Sequence, residues 1–298
     1  SWNTTLTLSH NKNSVKALTG EAVQLYEAKF GFNQNTHRIA VGEPLGQFYG
    51  YITEGLYQVD DFNYDASTQT YTLKDGVPYH GDKGQIRPGM WKFKNLTGDD
   101  NVIDENDKTV IGNAQPKFYG GLNNSFTYKG FDLSIFLTFS YGNEVLNATK
   151  LVTSKVGSLN YNALDVMNSS NRWMTINSDG QKVTDPGELA ALNAGKTVAA
   201  YHDAQQGDNY IHSWAVEDAS YLKLSNVTLG YTFPKNLIAR VGLKNLRLYA
   251  TGNNLLTWTK YSGFDPEVST MKSGLTPGVD FGAYPLSRSF IFGLNVAF

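Results

Sequence analysis

Ser287-Arg288-Ser289-Phe290-Ile291-Phe292-Gly293-Leu294-Asn295-Val296-Ala297-Phe298 closes the sequence, and its alternation decides how the rest is read. Phe290, Phe292, Leu294, Val296 and Phe298 fall on one side of an extended chain, and Ser289, Ile291, Gly293, Asn295 and Ala297 on the other. Successive side chains of a strand point to opposite faces, so this is one apolar and one small or polar face. The sequence ends inside the strand, on an aromatic. A transmembrane β-barrel accounts for both features, because its last strand closes the sheet and turns its apolar face to lipid.

The same period recurs upstream. Trp2, Thr4, Leu6 and Leu8 alternate with Asn3, Thr5, Thr7 and Ser9. Residues 41–57, with Gly42, Gly46, Gly50 and Gly55 among Phe48, Tyr49, Tyr51 and Tyr57, read as a glycine-kinked strand. Residues 118–128 lead through a tight turn at Lys129-Gly130 into the most regular segment, where Phe131, Leu133, Ile135, Leu137, Phe139 and Tyr141 alternate with Asp132, Ser134, Phe136, Thr138 and Ser140. Only Phe136 breaks the pattern. In residues 212–233 the register changes between Leu224 and Val227, which predicts a bulge near Ser225-Asn226. Leu246, Leu248, Ala250, Leu256 and Trp258 carry the next strand. Short helices are expected within residues 144–154 and 188–194.

The connections alternate in length. Long ones follow Tyr57, Tyr141 and Trp258, short ones lie at Lys129-Gly130 and residues 234–242, and only residues 11–40 spoil the rule. Outer-membrane barrels have short periplasmic turns and long extracellular loops. With the C-terminus periplasmic, the strands near 286, 213, 117 and 2 run inward, those near 243, 130 and 45 run outward, and the three long segments lie outside the cell. Seven strands are an odd number, so further strands are expected to precede this sequence. The final strand should pair with residues 243–258 on one side and with a strand outside the sequence on the other.

Composition excludes several classes. The 298 residues carry 25 Lys+Arg against 27 Asp+Glu, and no long basic cluster, so nucleic acid is not an expected partner. The absence of cysteine removes disulfides, thiolate catalysis and Cys-ligated metals. No run of about 18 apolar residues occurs, which argues against a transmembrane helix and leaves barrel strands open. A mean hydropathy of −0.35 fits alternating strands. A soluble β-sandwich would also alternate; two features favour the barrel. Tyr128, Tyr141, Tyr231 and Trp258 sit at strand ends, where interfacial girdles belong, and the opposite faces are small and polar, as in a wet lumen.

Several segments resemble the C-terminal region of the SusC/RagA family of TonB-dependent outer-membrane transporters. They are Val41-Gly42-Glu43-Pro44-Leu45-Gly46 with Phe48-Tyr49-Gly50-Tyr51, Val102-Ile103-Asp104-Glu105-Asn106-Asp107 leading to Ile111-Gly112, Asn171-Arg172-Trp173, residues 217–231, Gly252-Asn253-Asn254-Leu255, Gly263-Phe264-Asp265-Pro266-Glu267, and Gly282-Ala283-Tyr284-Pro285. The resemblance implies an all-β fold: residues 1–298 would be the C-terminal part of a transmembrane antiparallel β-barrel, about seven strands of 22. It also implies an N-terminal plug and TonB-contacting region outside these residues, a SusD-like surface lipoprotein as lid, and import of an oligosaccharide or peptide. The alternatives are a passive porin-like or adhesive barrel, and a soluble glycan-binding β-sandwich.

Residues 95–107 resemble an EF-hand-type loop, with Asp99, Asp104 and Asp107 as the ligands Ca²⁺ would use. Asp100 occupies the glycine position and Ile103 falls one residue late, so a solvated acidic turn is the competing reading. The fold itself requires no cofactor, and Ca²⁺ is the one candidate. Among loop aromatics, Trp91, Trp173, Trp214 and Tyr210, with Tyr79, Tyr161 and Tyr201, could stack on sugar faces or staple the loops together. The five histidines show no metal-ligand spacing, and no nucleophile or phosphate-loop motif occurs, so no enzyme is expected.

Overall fold

A computed structural model of the chain describes residues 1–27, 34–98, 100–154, 162–200, 210–270 and 273–298. Its backbone is one antiparallel six-stranded sheet of neighbouring strands: β1 (Trp2–Ser9), β2 (Phe118–Tyr128), β3 (Phe131–Tyr141), β4 (Tyr221–Thr232), β5 (Asn245–Thr259) and β6 (Ser289–Ala297). The sheet is open. β6 pairs with β5 from Asn245↔Ala297 to Asn253↔Ser289, as the sequence indicates, and its other edge meets no strand among the described residues.

The hairpin between β2 and β3 follows from two residues. Tyr128 faces Phe131, and Lys129 and Gly130 both have positive φ, 46° and 89°. That is the backbone of a primed two-residue turn, whose twist matches the strands it joins. A Cβ on Gly130 would lie 2.7 Å from the Thr232 carbonyl oxygen. The bulge falls at Ser225: pairing with β5 skips between Leu224 and Asn226, so Leu222 and Leu224 share a face with Val227, Leu229 and Tyr231.

Registers align one apolar face across all six strands. Leu6, Leu122, Leu137, Leu224 and Leu256 lie in one row, and Phe126, Leu133, Leu229, Ala250 and Phe292 in another. Among the described residues no second sheet covers this face; Leu229 and Leu248, well inside the sheet, are 50% and 47% exposed. A sandwich would bury them, and an aqueous surface rarely carries a patch this large. Stacked pairs mark both ends, Trp2 on Phe126 near the short turns and Phe118 on Tyr141 at the other end. The eleven residues of β3 extend about 33 Å, which at a tilt of about 40° spans about 25 Å, the height of an outer-membrane apolar band.

Residues 41–57 correct the strand count from seven to six. They form Gln47–Gly50, paired with Thr109–Asn113 and Asn35–Ala40, and Thr53–Leu56, paired with Trp91–Phe93, all outside the main sheet. Gly42, Gly46 and Gly55 have φ of 89°, 87° and 98°, so they turn the chain where the sequence suggested a kinked strand. Phe48 and Tyr57 are fully buried, and the Ile211 carbonyl passes so close to Gly50 that a Cβ there would sit 2.3 Å from it. A barrel strand buries neither face in this way. The correction also reverses β1, which runs antiparallel to β2. Residues 10–117 become one excursion, and the exception at 11–40 disappears. Three long excursions (10–117, 142–220 and 260–288) then leave one end of the sheet, and the two short turns lie at the other.

The hydrophobic core sits in these excursions. Phe48 from the first, Leu146, Leu151, Ile211 and Ala215 from the second, and Val279 from the third form one cluster. Short helices lie at Ala148–Thr153, capped by the Asn147 side chain, and Pro186–Leu192, capped by Asp185, both inside or overlapping the expected segments.

Candidate functional site

The face opposite the apolar one is a ladder of neutral hydrogen-bonding groups. The Thr138 and Ser225 hydroxyls are 2.7 Å apart, those of Thr228 and Thr251 2.8 Å apart, and Asn226 donates to Asn253 at 2.7 Å, which in turn donates to the Ser289 hydroxyl at 3.0 Å. One ion pair crosses it near the short turns. Arg247 on β5 grips Asp132 on β3 in two bonds, Nε to Oδ1 at 3.0 Å and Nη2 to Oδ2 at 2.5 Å, spanning the intervening β4. Gly230 makes the crossing physically feasible: a Cβ there would lie 2.4 Å from the guanidinium and 2.6 Å from the carboxylate. Phe136, the residue that broke the alternation, lies over Gly121 on this face and stays 38% exposed. Tyr249 covers Gly293 in the same manner.

At the far end the third excursion is clamped to the mouth. Glu267 accepts from the Tyr221 hydroxyl and from Lys223 Nζ, each at 2.6 Å, while its own N–H donates to Asp265 at 3.0 Å. A cavity of about 510 Å³ lies beneath, lined by Pro116, Tyr119, Thr138, Ser140, Tyr221 and Glu267 among others. The Gly-Phe-Asp-Pro-Glu stretch reads as a turn from sequence. Its strand partners, more than 40 residues away, carry no local signal.

The structure separates the four aromatic candidates. Trp173 is 1% exposed and Trp91 5%, both inside a cluster with Tyr51, Leu56, Phe93 and Leu189. Trp91 packs on Trp214 and His212, with centroids 4.9 and 5.0 Å away. Both rings are buried where the first and second excursions pack together, as the stapling alternative expects. Trp214 is half-buried with Lys150 Nζ 4.1 Å over its ring, and Tyr210 is half-buried, edge-on to Tyr51. Tyr79 packs against a third cluster, while Tyr161 and Tyr201 lie outside the described residues. Beside Trp214, Lys150 pairs with Glu217 at 3.0 Å. Burial pushes the Glu217 carboxyl up, but the Lys150 charge and the Ser262 N–H and hydroxyl outweigh it and hold its pKa below the ordinary value.

The acidic turn is built around Asp107, which is fully buried. Its Oδ1 accepts from the N–H groups of Leu96 and Thr97 at 2.7 and 2.9 Å, and its Oδ2 from the N–H of Asp104 at 2.8 Å. Burial raises its pKa, and those N–H donors with the Thr97 hydroxyl lower it further than that. Asp104 is engaged as a cap, accepting from the N–H and side chain of Asn106, and Asp99 lies outside the described residues. A carboxylate saturated by N–H donors has little left for a cation that takes six to eight oxygens. Calorimetric titration with Ca²⁺ is therefore expected to show no binding heat that Asp107→Asn abolishes; such a heat would restore the metal reading.

His37 joins the first excursion to the third. Its Nε2 donates to the Pro277 carbonyl at 2.9 Å, and its ring meets Phe48 edge-on at 5.1 Å. Burial lowers its pKa from 6.5 to about 4, against the opposing effect of the Pro277 bond. A histidine held neutral stabilises the fold fully above 6.5 and loses that contribution as pH falls toward 4. Unfolding of the loop assembly should show this loss, and His37→Gln should flatten it; an unchanged profile would contradict the assignment.

No family model matches the chain. The TonB-dependent receptor P3 of Formosa agariphila is 33% identical over 304 residues, covering 100% of this chain and 27% of that protein. The TonB-dependent receptor SusC of Bacteroides thetaiotaomicron is 26% identical over 310 residues, with 100% and 24% covered. The chain thus spans about a quarter of the length of these curated relatives. The fold is similar to part of a chain in the structure of the RagAB peptide transporter, superposing with a TM-score of 0.64 at 20% identity over 100% of this chain and 27% of that one. The similarity runs through sheet and excursions alike and leaves no part of the sequence uncovered: over its whole length the chain is similar to a segment of TonB-dependent receptors of the SusC type.

Proposed function

We propose that the chain forms part of the wall and outer loops of an outer-membrane importer of nutrient oligomers, oligosaccharide or peptide. The observation that carries this is the two-faced sheet, apolar and bare on one side, hydrogen-bonded and neutral on the other. Similarity to TonB-dependent receptors over the full chain supports active uptake rather than passive diffusion. Energy would come from TonB through the plug and N-terminal region of the full-length protein, and a SusD-like lipoprotein would cover the excursions. Neutral hydroxyl and amide groups suit an uncharged polar oligomer, whether glycan or peptide backbone. Trp214 and Tyr210, the half-buried aromatics of the loop assembly, are the remaining candidates for contact with it.

Cells lacking the full-length protein should lose growth on one oligomer class and regain it on complementation, with no rescue in cells lacking TonB. Rescue without TonB would favour a passive barrel, and growth unaffected on glycan and peptide sources alike would refute import.

A further inference from the structure

We infer that the short-turn rim of this barrel segment is a docking surface for anionic phospholipid headgroups. The inference rests on the reading of the sheet as a membrane wall. Residues 127–132 and 232–247 hold five cations and one anion, whereas the rest of the chain holds 20 cations and 26 anions. The one anion, Asp132, is taken up by Arg247 on the inner face. The other four cations, Lys129, Lys235, Arg240 and Lys244, are exposed and make no ion pair among the described residues. Lys129 lies instead with its Nζ 5.3 Å over the ring of Tyr128.

The connection between β4 and β5 adds an apolar ridge to this charge. After Pro234 the chain makes one turn of α-helix, Lys235–Ile238, and one of 3₁₀, Ala239–Val241, ended by Gly242 at φ 76°. Ile238 is buried and anchors the turn, while Leu237 and Val241, four residues apart, are 54% and 71% exposed. An i, i+4 pair shares one helix face. The aromatic end of the apolar face lies at the same short-turn end of the sheet, where Tyr128 is 68% and Phe131 51% exposed and the Phe131 and Tyr231 rings meet at 4.5 Å. Apolar tips entering the acyl boundary, with long cationic side chains reaching back to the headgroups, is the arrangement an interfacial segment takes. A protein partner would need carboxylates matched to four separated cations, whereas an anionic bilayer surface needs only charge and depth.

The probe is phosphatidylglycerol against phosphatidylethanolamine with the same acyl chains, offered in equal amounts to the full-length protein in detergent. Native mass spectrometry should find phosphatidylglycerol retained preferentially, the preference falling about fivefold for each cation removed in Lys235→Gln, Arg240→Gln and Lys244→Gln. The triple substitution Lys12→Gln/Lys16→Gln/Lys74→Gln, away from this rim, should keep it. If the rim triple variant does not fold, Lys235→Gln alone carries the test. Equal retention of both lipids, or a preference that survives the rim substitutions, would overturn the inference while leaving the barrel intact. Release of the protein into water without detergent would overturn the barrel reading and the inference together.

Discussion

Replacing Trp173 with alanine is expected to open the loop assembly while leaving the wall in place. The indole is 1% exposed, packs with Tyr51, Trp91 and Leu189, and lies so close to Gly89 that a Cβ there would sit 2.4 Å from the ring. Its N–H backbone bond to Val198 ties the second excursion to itself at 2.8 Å. Removing a buried tryptophan costs about 3 to 5 kcal/mol through lost burial and the cavity left behind. None of that packing touches β1 to β6, so the loss should fall on the excursions alone. Limited proteolysis or hydrogen exchange of the full-length protein should show residues 53–93 and 162–200 losing protection, with β2 to β5 unchanged. A ligand-stacking tryptophan would behave in the opposite way, keeping protection and losing uptake.

The second large effect separates the two faces of the sheet. Ile135 sits at the middle of β3 on the apolar face, opposite Val227, and Ser134 is its neighbour on the polar face, opposite Thr228. Arginine at a lipid-facing position near the bilayer midplane costs about 2 to 4 kcal/mol. Ile135→Arg should therefore destabilise the barrel by that amount, read as the urea midpoint of the full-length protein in vesicles. Ser134→Arg, pointing into a polar interior, should cost well under about 1 kcal/mol. Equal penalties at the two positions would argue that both faces are packed, as in a soluble sandwich.

What could be read from the residues follows from the range of the forces involved. Period-two alternation in β3, the Lys129-Gly130 turn and the bulge at Ser225 are local, and the sequence states each of them plainly. Residues 41–57 misled because glycine serves both a kinked strand and a left-handed turn. Gly42, Gly46 and Gly55 take the left-handed turn, while Gly50 makes room for the Ile211 carbonyl, far along the chain, and the residue type alone does not tell the two uses apart. The same holds for the site. Arg247 and Asp132 are 115 residues apart, and only Gly230, a glycine interrupting a regular strand, hints that something crosses there. Phe136 was legible as an outlier, though its exposure on the polar face was not. For Trp91 and Trp173, sequence offered stacking or stapling, and the burial that favours stapling comes from partners on other excursions, which leave no local signal.

The most direct test of the membrane wall places single cysteines in a sequence that has none of its own, with any cysteine outside these 298 residues replaced. Nitroxide labels on single cysteines from 131 to 141, in the full-length protein reconstituted in vesicles, report lipid through oxygen collisions and water through a soluble nickel complex. The wall described here requires a period of two, with oxygen access highest at Leu133, Ile135, Leu137 and Phe139, and lower at Ser134, Phe136 and Thr138. Loss of that alternation, or aqueous access at Ile135 equal to that at Ser134, would contradict it.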